Sequence, residues 1–253
     1  MSTYVYGIVA RAHPAPPAGL DGVGDPPKPL RLLTEGELAA VVSDAPPGLR
    51  PERRELVAHQ HVLDALEAHG TVLPMPFSSL APDDASVRGV LAQRAGHYLE
   101  RLHALTGKVE YRVRARHDEE AVLRRVMVEN PEIRTLTEAG ALATAAGAEG
   151  SEGMDQRLRL GALVVGAIQA AEAEDAAEVR RVLEFVSEAV SVAPPGEQWL
   201  VDVACLVSRE MADVLLTTVE RLREDHPQLG VWVNGPLPPC SFVEPGPSAP
   251  AHR

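Results

Sequence analysis

The side chains best equipped for chemistry are few and badly placed to cooperate. His59 and His61 stand two apart in a helical pattern, a pairing that invites metal ligation. Helix residues two apart point about 200° away from each other, so the pair cannot hold one ion from one helix. His59 falls on an apolar stripe and reads as a hydrogen-bonded core or interface histidine. His69 and His97 have no obvious partner in sequence. Glu172, Glu174, Asp175 and Glu178 would suit a cation, but the run lacks the glycine and ligand spacing of a calcium loop. It reads as a solvated helix face or an exposed break in the helix. The only cysteines, Cys205 and Cys240, form no CxxC pair, which excludes a zinc knuckle or a thioredoxin-like motif. Cys205 lies in an apolar strand and reads as a small core residue. The patterns GxxxxGK[ST], GxGxxG and GxSxG are absent, so phosphate cradling and an esterase nucleophile elbow lack their markers. Neither enzyme activity nor a cofactor or metal is expected.

Composition narrows the class further. Hydrophobic residues make up 45% of 253, enough for a proper core, while aromatics are only 4%, so that core is built mainly from Leu, Val and Ala. A formal net charge of −12 argues against nucleic acid and against anionic membrane surfaces as partners. Lys28 and Lys108 are the only lysines, a bias that reads as codon usage rather than chemistry. The start, MSTYVYGIVARAH, lacks the basic and apolar regions of a signal peptide, and the longest apolar run, 160–171, is too short to span a bilayer. A cytoplasmic protein is expected.

The elements that would position these residues fall into two groups. In the first, strands are predicted at 3–10, 30–33 and 38–44, with a Pro/Gly-rich loop over 11–29. A helix over 51–69 carries the stripe Leu56, His59, Leu63 and Leu66 and ends at Gly70. VLPMPF at 72–77 is extended, and its prolines restrict it to an edge or bulge. Asp83 or Asp84 caps a helix over 84–105. The second group opens with KVEYRVRAR at 108–116, an alternating half-buried strand. A short helix over 118–136 breaks at Asn130-Pro131, the Ala/Gly-rich stretch 137–155 reads as a mobile connection, and a long helix covers 156–189. Strands at 189–194 and 199–209, a turn at Pro195-Gly196, a helix over 211–225 and a strand at 229–234 complete the set.

The expected architecture is α+β in two domains. Residues 1–107 form an N-terminal α+β domain of no clean named topology. Residues 108–243 form a C-terminal ferredoxin-like βαββαβ sandwich with the mobile insertion near 137–155, and 244–253 form a disordered tail. After the last strand comes GPLPPCSFV at 235–243. Pro236, Pro238 and Pro239 have no N–H and are expected to stop the sheet ladder, and Gly235 permits backbone angles that other residues avoid. Phe242 and Val243 then return to apolar character, either to pack on their own domain or to contact a partner.

Several segments, in order and spacing, resemble the gas vesicle protein F/L family of accessory proteins: YVYGIV at 4–9, HQHVL at 59–63, VLPMPF at 72–77, KVEYRVRAR at 108–116, ENPEIRTL at 129–136, LRLGALV at 158–164, CLVSRE at 205–210 and GPLPPCSFV. The resemblance runs nearly end to end. Leu237 stands where the family usually has Trp, Cys240 where it has Tyr, Pro76 where Arg is common and Ser78 where Gly is common, which reads as the mark of a diverged paralogue. The resemblance implies a non-enzymatic protein that assists assembly or nucleation of the gas vesicle shell, in the cytoplasm and at the vesicle. It would act by binding the hydrophobic shell protein and other accessory proteins. Met75, Phe77, Gly235, Pro236, Leu237, Pro238, Pro239, Phe242 and Val243 are the candidate protein contacts. The alternative is a ferredoxin-like regulatory module that binds a small ligand.

Overall fold

The computed structural model describes residues 2–145, 151–193 and 198–243. Within them the chain is a mixed α/β protein with two antiparallel sheets and seven α-helices. Its contacts sort it into two compact units, Met1–Tyr111 with Leu206–Glu210 and Asn234–Arg253, and Arg112–Cys205 with Met211–Val233. The expected tail 244–253 and the Pro195-Gly196 turn lie outside the described residues.

The first unit is built on strands β1 (Thr3–Ala10), β2 (Arg31–Glu35), β3 (Leu38–Asp44), β4 (Val72–Pro74) and β5 (Leu80–Ala81). The sheet runs β2-β3-β1-β4, with β5 also pairing β1. β3 is buried at every position but its last, a pattern that demands cover on both faces. The register of β1 on β3 is interrupted between Val5 and Gly7. That bulge lets Tyr6 and Val9, three residues apart, enter one core cluster with Tyr4. Helix α1 (Arg53–Glu67) adds Val62, Leu63 and Leu66 to the same cluster. The helix expected over 84–105 is two helices, α2 (Asp84–Gln93) and α3 (Ala95–Leu105), separated by Arg94 at φ −108°, ψ 19°. The buried stripe Val87, Leu91, Tyr98, Leu102, Leu105 runs on across the break, which is why periodicity alone predicts a single helix. Asp83 is the cap, accepting from Ser86 N–H at 2.7 Å.

The second sheet holds β6 (Lys108–His117), β7 (Ala189–Val192), β8 (Val201–Ser208) and β9 (Leu229–Leu237) in the order β7-β8-β6-β9. Between β6 and β7 come helices α4 (Glu119–Glu129), α5 (Pro131–Ala145) and α6 (Ser151–Val186), and α7 (Ala212–Asp225) joins β8 to β9. Asp118 caps α4, and the Asn130 side-chain oxygen accepts from Glu132 and Ile133 N–H to start α5 behind Pro131. The three helices close around Val122, Val126, Ile133 and Ala171. The connection expected at 137–155 is therefore corrected: α5 continues through Ala145, α6 begins at Ser151, and residues 146–150 lie outside the described residues. Alanine is the strongest helix former, and with Ile133 anchored below it the Ala-rich stretch continues as helix.

β9 also runs further than expected, through Gly235 and Pro236 to Leu237. It is an edge strand, so a proline whose missing N–H faces away from the neighbouring strand costs no ladder bond. Gly235 sits at φ +152°, and a Cβ there would lie 2.5 Å from the Tyr111 ring and 2.9 Å from the Glu110 carbonyl oxygen.

Candidate functional site

In the first unit the terminal segment is tied down by a buried carboxylate. Glu110 on β6 is 3% exposed and accepts from both the backbone N–H and the hydroxyl of Ser241, each at 2.8 Å. Arg101 on α3 donates to the carbonyl of Phe242 at 2.7 Å. Pro238, Pro239 and Phe242 are buried; Leu237 and Val243 are half-buried; Gly235, Pro236 and Cys240 face outward. Beside Pro239 a small cavity of about 330 Å3 is walled by Thr71, Thr106 and Lys108, with Glu67 and Arg209 paired at 3.1 Å. Burial pushes the Glu67 carboxyl up, and Arg209 opposes it.

Met75 and Phe77 belong to a different knot. Met75 is half-buried and its carbonyl accepts from His59 Nε2–H at 3.1 Å. Tyr4 Oη donates to His59 Nδ1 at 2.8 Å and accepts from Ser78 N–H at 3.3 Å. The Met75 carbonyl can only accept, so the proton sits on Nε2. Burial lowers the His59 pKa against the Met75 bond and raises that of Tyr4, so both stay neutral. Phe77 meets the Tyr4 and His59 rings edge-on at 6.0 and 5.8 Å. His59 is thus a core histidine with both nitrogens engaged, while His61 is exposed on the opposite side of α1. No cluster of metal-ligating side chains occurs among the described residues. No disulfide joins Cys205, which is buried, to Cys240, which is exposed.

The second unit contains what sequence reasoning missed. Asp175, expected on a solvated face, is 4% exposed. It accepts from His117 Nε2–H at 2.8 Å, Arg125 Nη1–H at 3.0 Å and Gln228 Nε2–H at 2.9 Å. Burial opposes its ionisation, but these donors outweigh it and hold the carboxyl below the usual range. The signal was in the spacing: Asp175 lies four residues after Ala171 and four before Val179, both buried on α6. Glu172, Glu174 and Glu178 remain on the outer side.

Two surfaces of this unit stand out. One is a crevice of about 1030 Å3 walled by His117, Glu119, Glu172, Trp199 and Trp232, where β6 hands over to α4. Trp199 and Trp232 meet edge-on at 5.4 Å, with Arg114 over Trp199 at 5.4 Å and Arg116 over Trp232 at 5.0 Å. The other is the outer side of α6. While Leu160, Leu163, Val164 and Ile168 pack inward, Met154, Leu158 and Val165 are exposed at helical spacing, beside Gly161.

Fold and surfaces together describe a mixed α/β scaffold whose conspicuous chemistry is packing, internal ion networks and uncovered apolar faces. The described helices include none long and apolar enough to cross a membrane. The chain belongs to the gas vesicle synthesis protein GvpL/GvpF family, whose profile matches residues 2–244. It is 49% identical over 244 residues to gas vesicle protein F of Streptomyces sp. (strain CB03234), covering 96% of this chain and 100% of that one. Gas vesicle protein L of the same strain is 31% identical over 124 residues, 44% of this chain and 46% of its own. The crystal structure of GvpF from Anabaena sp. PCC7120 superposes with a TM-score of 0.77 at 19% identity, covering 97% of this chain and 99% of that one. GvpF from Microcystis aeruginosa gives 0.70 at 20%, covering 96% and 99%. These two likenesses establish the fold.

Proposed function

We propose that this protein is a gas vesicle accessory factor that assists assembly or nucleation of the shell by binding the hydrophobic shell protein and other accessory proteins. The observation that carries the reading is the family match across residues 2–244. The partner's chemistry is supported by the outward face of α6, where Met154, Leu158 and Val165 present an apolar stripe to water. A second contact runs along the terminal motif. Gly235, Pro236, Leu237 and Val243 offer the surface, while Pro238, Pro239 and Phe242, held by Glu110 and Arg101, set its position. Met75 and Phe77 contribute less, because the Phe77 ring is engaged with Tyr4 and His59. We read residues 108–243 as a ferredoxin-like domain, a reading that the strand order β7-β8-β6-β9 supports, with helices between its first and second and its third and fourth strands. The working location is the cytoplasm and the vesicle.

Co-expression of the tagged chain with the small shell protein tests the proposal. Wild type should co-purify it, and Leu158→Glu combined with Val165→Glu should not. Clean separation of wild type from the shell protein under mild conditions, together with normal vesicles in cells lacking the chain, would remove the reading.

A further inference from the structure

We infer that the groove between the last turns of α6 and helix α7 is a docking site for a second copy of this chain. The inference does not rest on the gas vesicle reading or on the outer side of α6. The groove measures about 800 Å3 and lies within the second unit. Val182, Phe185 and Val186 form its α6 wall, and Val214, Thr218 and Leu222 its α7 wall. Phe185 is 91% exposed, more than any other large hydrophobic side chain among the described residues, and Val214 is 42% exposed. On the same two helices Val179, Leu183, Leu215 and Val219 are buried and already supply the core. The Phe185 ring adds nothing to that core, and only a surface from outside can take it out of water.

Shape favours a second copy. Phe185 lines the groove and also projects from it, so one patch carries both a knob and a hole. Such a patch fits itself about a twofold axis, each Phe185 entering the groove of the other copy, and the contact closes at two.

Charge favours it independently. Three carboxylates and two guanidiniums line the groove, a net of −1, where the whole chain carries −12. Two copies repel over most of their surfaces, and here they can touch. Glu178 is already paired with Arg181 at 2.7 Å. Glu184 on α6 and Arg221 and Asp225 on α7 remain, and their side chains make no ion pair or hydrogen bond among the described residues. A strongly acidic or strongly basic partner finds no matching field in this mixture, whereas a surface carrying the same mixture does. About the twofold axis the α6 wall of one copy faces the α7 wall of the other, so Glu184 meets Arg221 twice.

Sedimentation velocity of the full chain from about 5 to 500 µM tests the assignment. Twelve residues line the groove, about half the number per side of a standard interface, so association should be weak and reversible, with a Kd on the order of 100 µM or below. Phe185→Glu should weaken it at least about tenfold while melting like wild type, because the ring already faces water. Glu184→Arg and Arg221→Glu should each weaken it at least about threefold. The double exchange Glu184→Arg/Arg221→Glu, which conserves net charge, should return to within about twofold of wild type. Leu158→Glu/Val165→Glu should dimerise as wild type does. A chain still monomeric at the highest concentration, a dimer indifferent to Phe185→Glu, or a double exchange no better than the single ones would overturn the assignment. So would a monomeric wild type whose Phe185→Glu variant fails to co-purify the shell protein, since the groove would then belong to that partner.

Discussion

Replacing Asp175 by alanine removes the acceptor shared by three donors and tests whether that network is closed to water. His117 and Gln228 are 6% and 8% exposed, so each would lose the acceptor of a buried N–H, and Gln228 would keep only its long contact to His226 Nδ1 at 3.4 Å. A stranded buried donor costs about 1–3 kcal/mol. Arg125 would keep Glu129 at 3.0 Å and contributes little to the loss. Two stranded donors give about 4 kcal/mol, the range expected when one side of a buried charged contact is deleted. At about 2–4 °C per kcal/mol for a chain of this size, the melting temperature should fall by about 10 °C. Urea unfolding followed by tryptophan fluorescence is the suitable assay, because Trp199 and Trp232 both lie in the unit that contains Asp175. Asp175→Asn sharpens the test. Its amide offers one acceptor and two donors to a ring of donors, so it should recover little of the loss. A drop below about 1 kcal/mol in the alanine variant, or full recovery with asparagine, would mean that water already solvates these groups and would refute the reasoning.

Gly235→Ala forces a side chain into a left-handed backbone and places its Cβ 2.5 Å from the Tyr111 ring, so it should destabilise by about 2 kcal/mol in thermal melts. Acid should weaken the fold in a defined direction. Arg112 holds the Asp202 carboxyl below its ordinary range, as the donors around Asp175 do there, so both groups ionise more readily folded than unfolded. Their stabilisation is complete above the unfolded carboxyl value of about 3.9 and is lost as pH falls through the lower folded values. Asp202→Asn should flatten the acid limb of a plot of urea midpoint against pH. The Leu158→Glu/Val165→Glu variant should keep wild-type stability to within about 0.5 kcal/mol, since both side chains already face water, while losing the apolar partner in co-purification.

The sequence was most informative where one periodicity decided the matter. β1 and β3 follow their apolar runs to the residue, and the histidine on the α1 stripe is where its spacing puts it. What spacing did not show was its partners, because Tyr4 and the Met75 carbonyl come from 55 and 16 residues away. Asp175 was misread because charge outweighed position: three acidic neighbours pointed to solvent, while its four-residue spacing from Ala171 and Val179 pointed to the core. Residues 137–145 were misread because Ala and Gly together resemble a linker until an anchor such as Ile133 is known. The crevice was not legible at all. Its walls come from the end of β6, the first turn of α4, the middle of α6 and the residues around Trp199 and Trp232, which no local window joins. The family resemblance was legible because short motifs keep their order along the chain whatever the intervening residues do.

The chain passes between its two units four times, after Tyr111, Cys205, Glu210 and Val233. β6, β8 and β9 therefore each carry residues of both. No single crossover in the gene would deliver either unit whole, and a fragment ending at Tyr111 would lack the five-residue and C-terminal pieces that complete the first. A cut placed at Tyr111 falls inside β6 and one at Val233 inside β9, so any attempt to express a unit alone severs a strand instead of a linker.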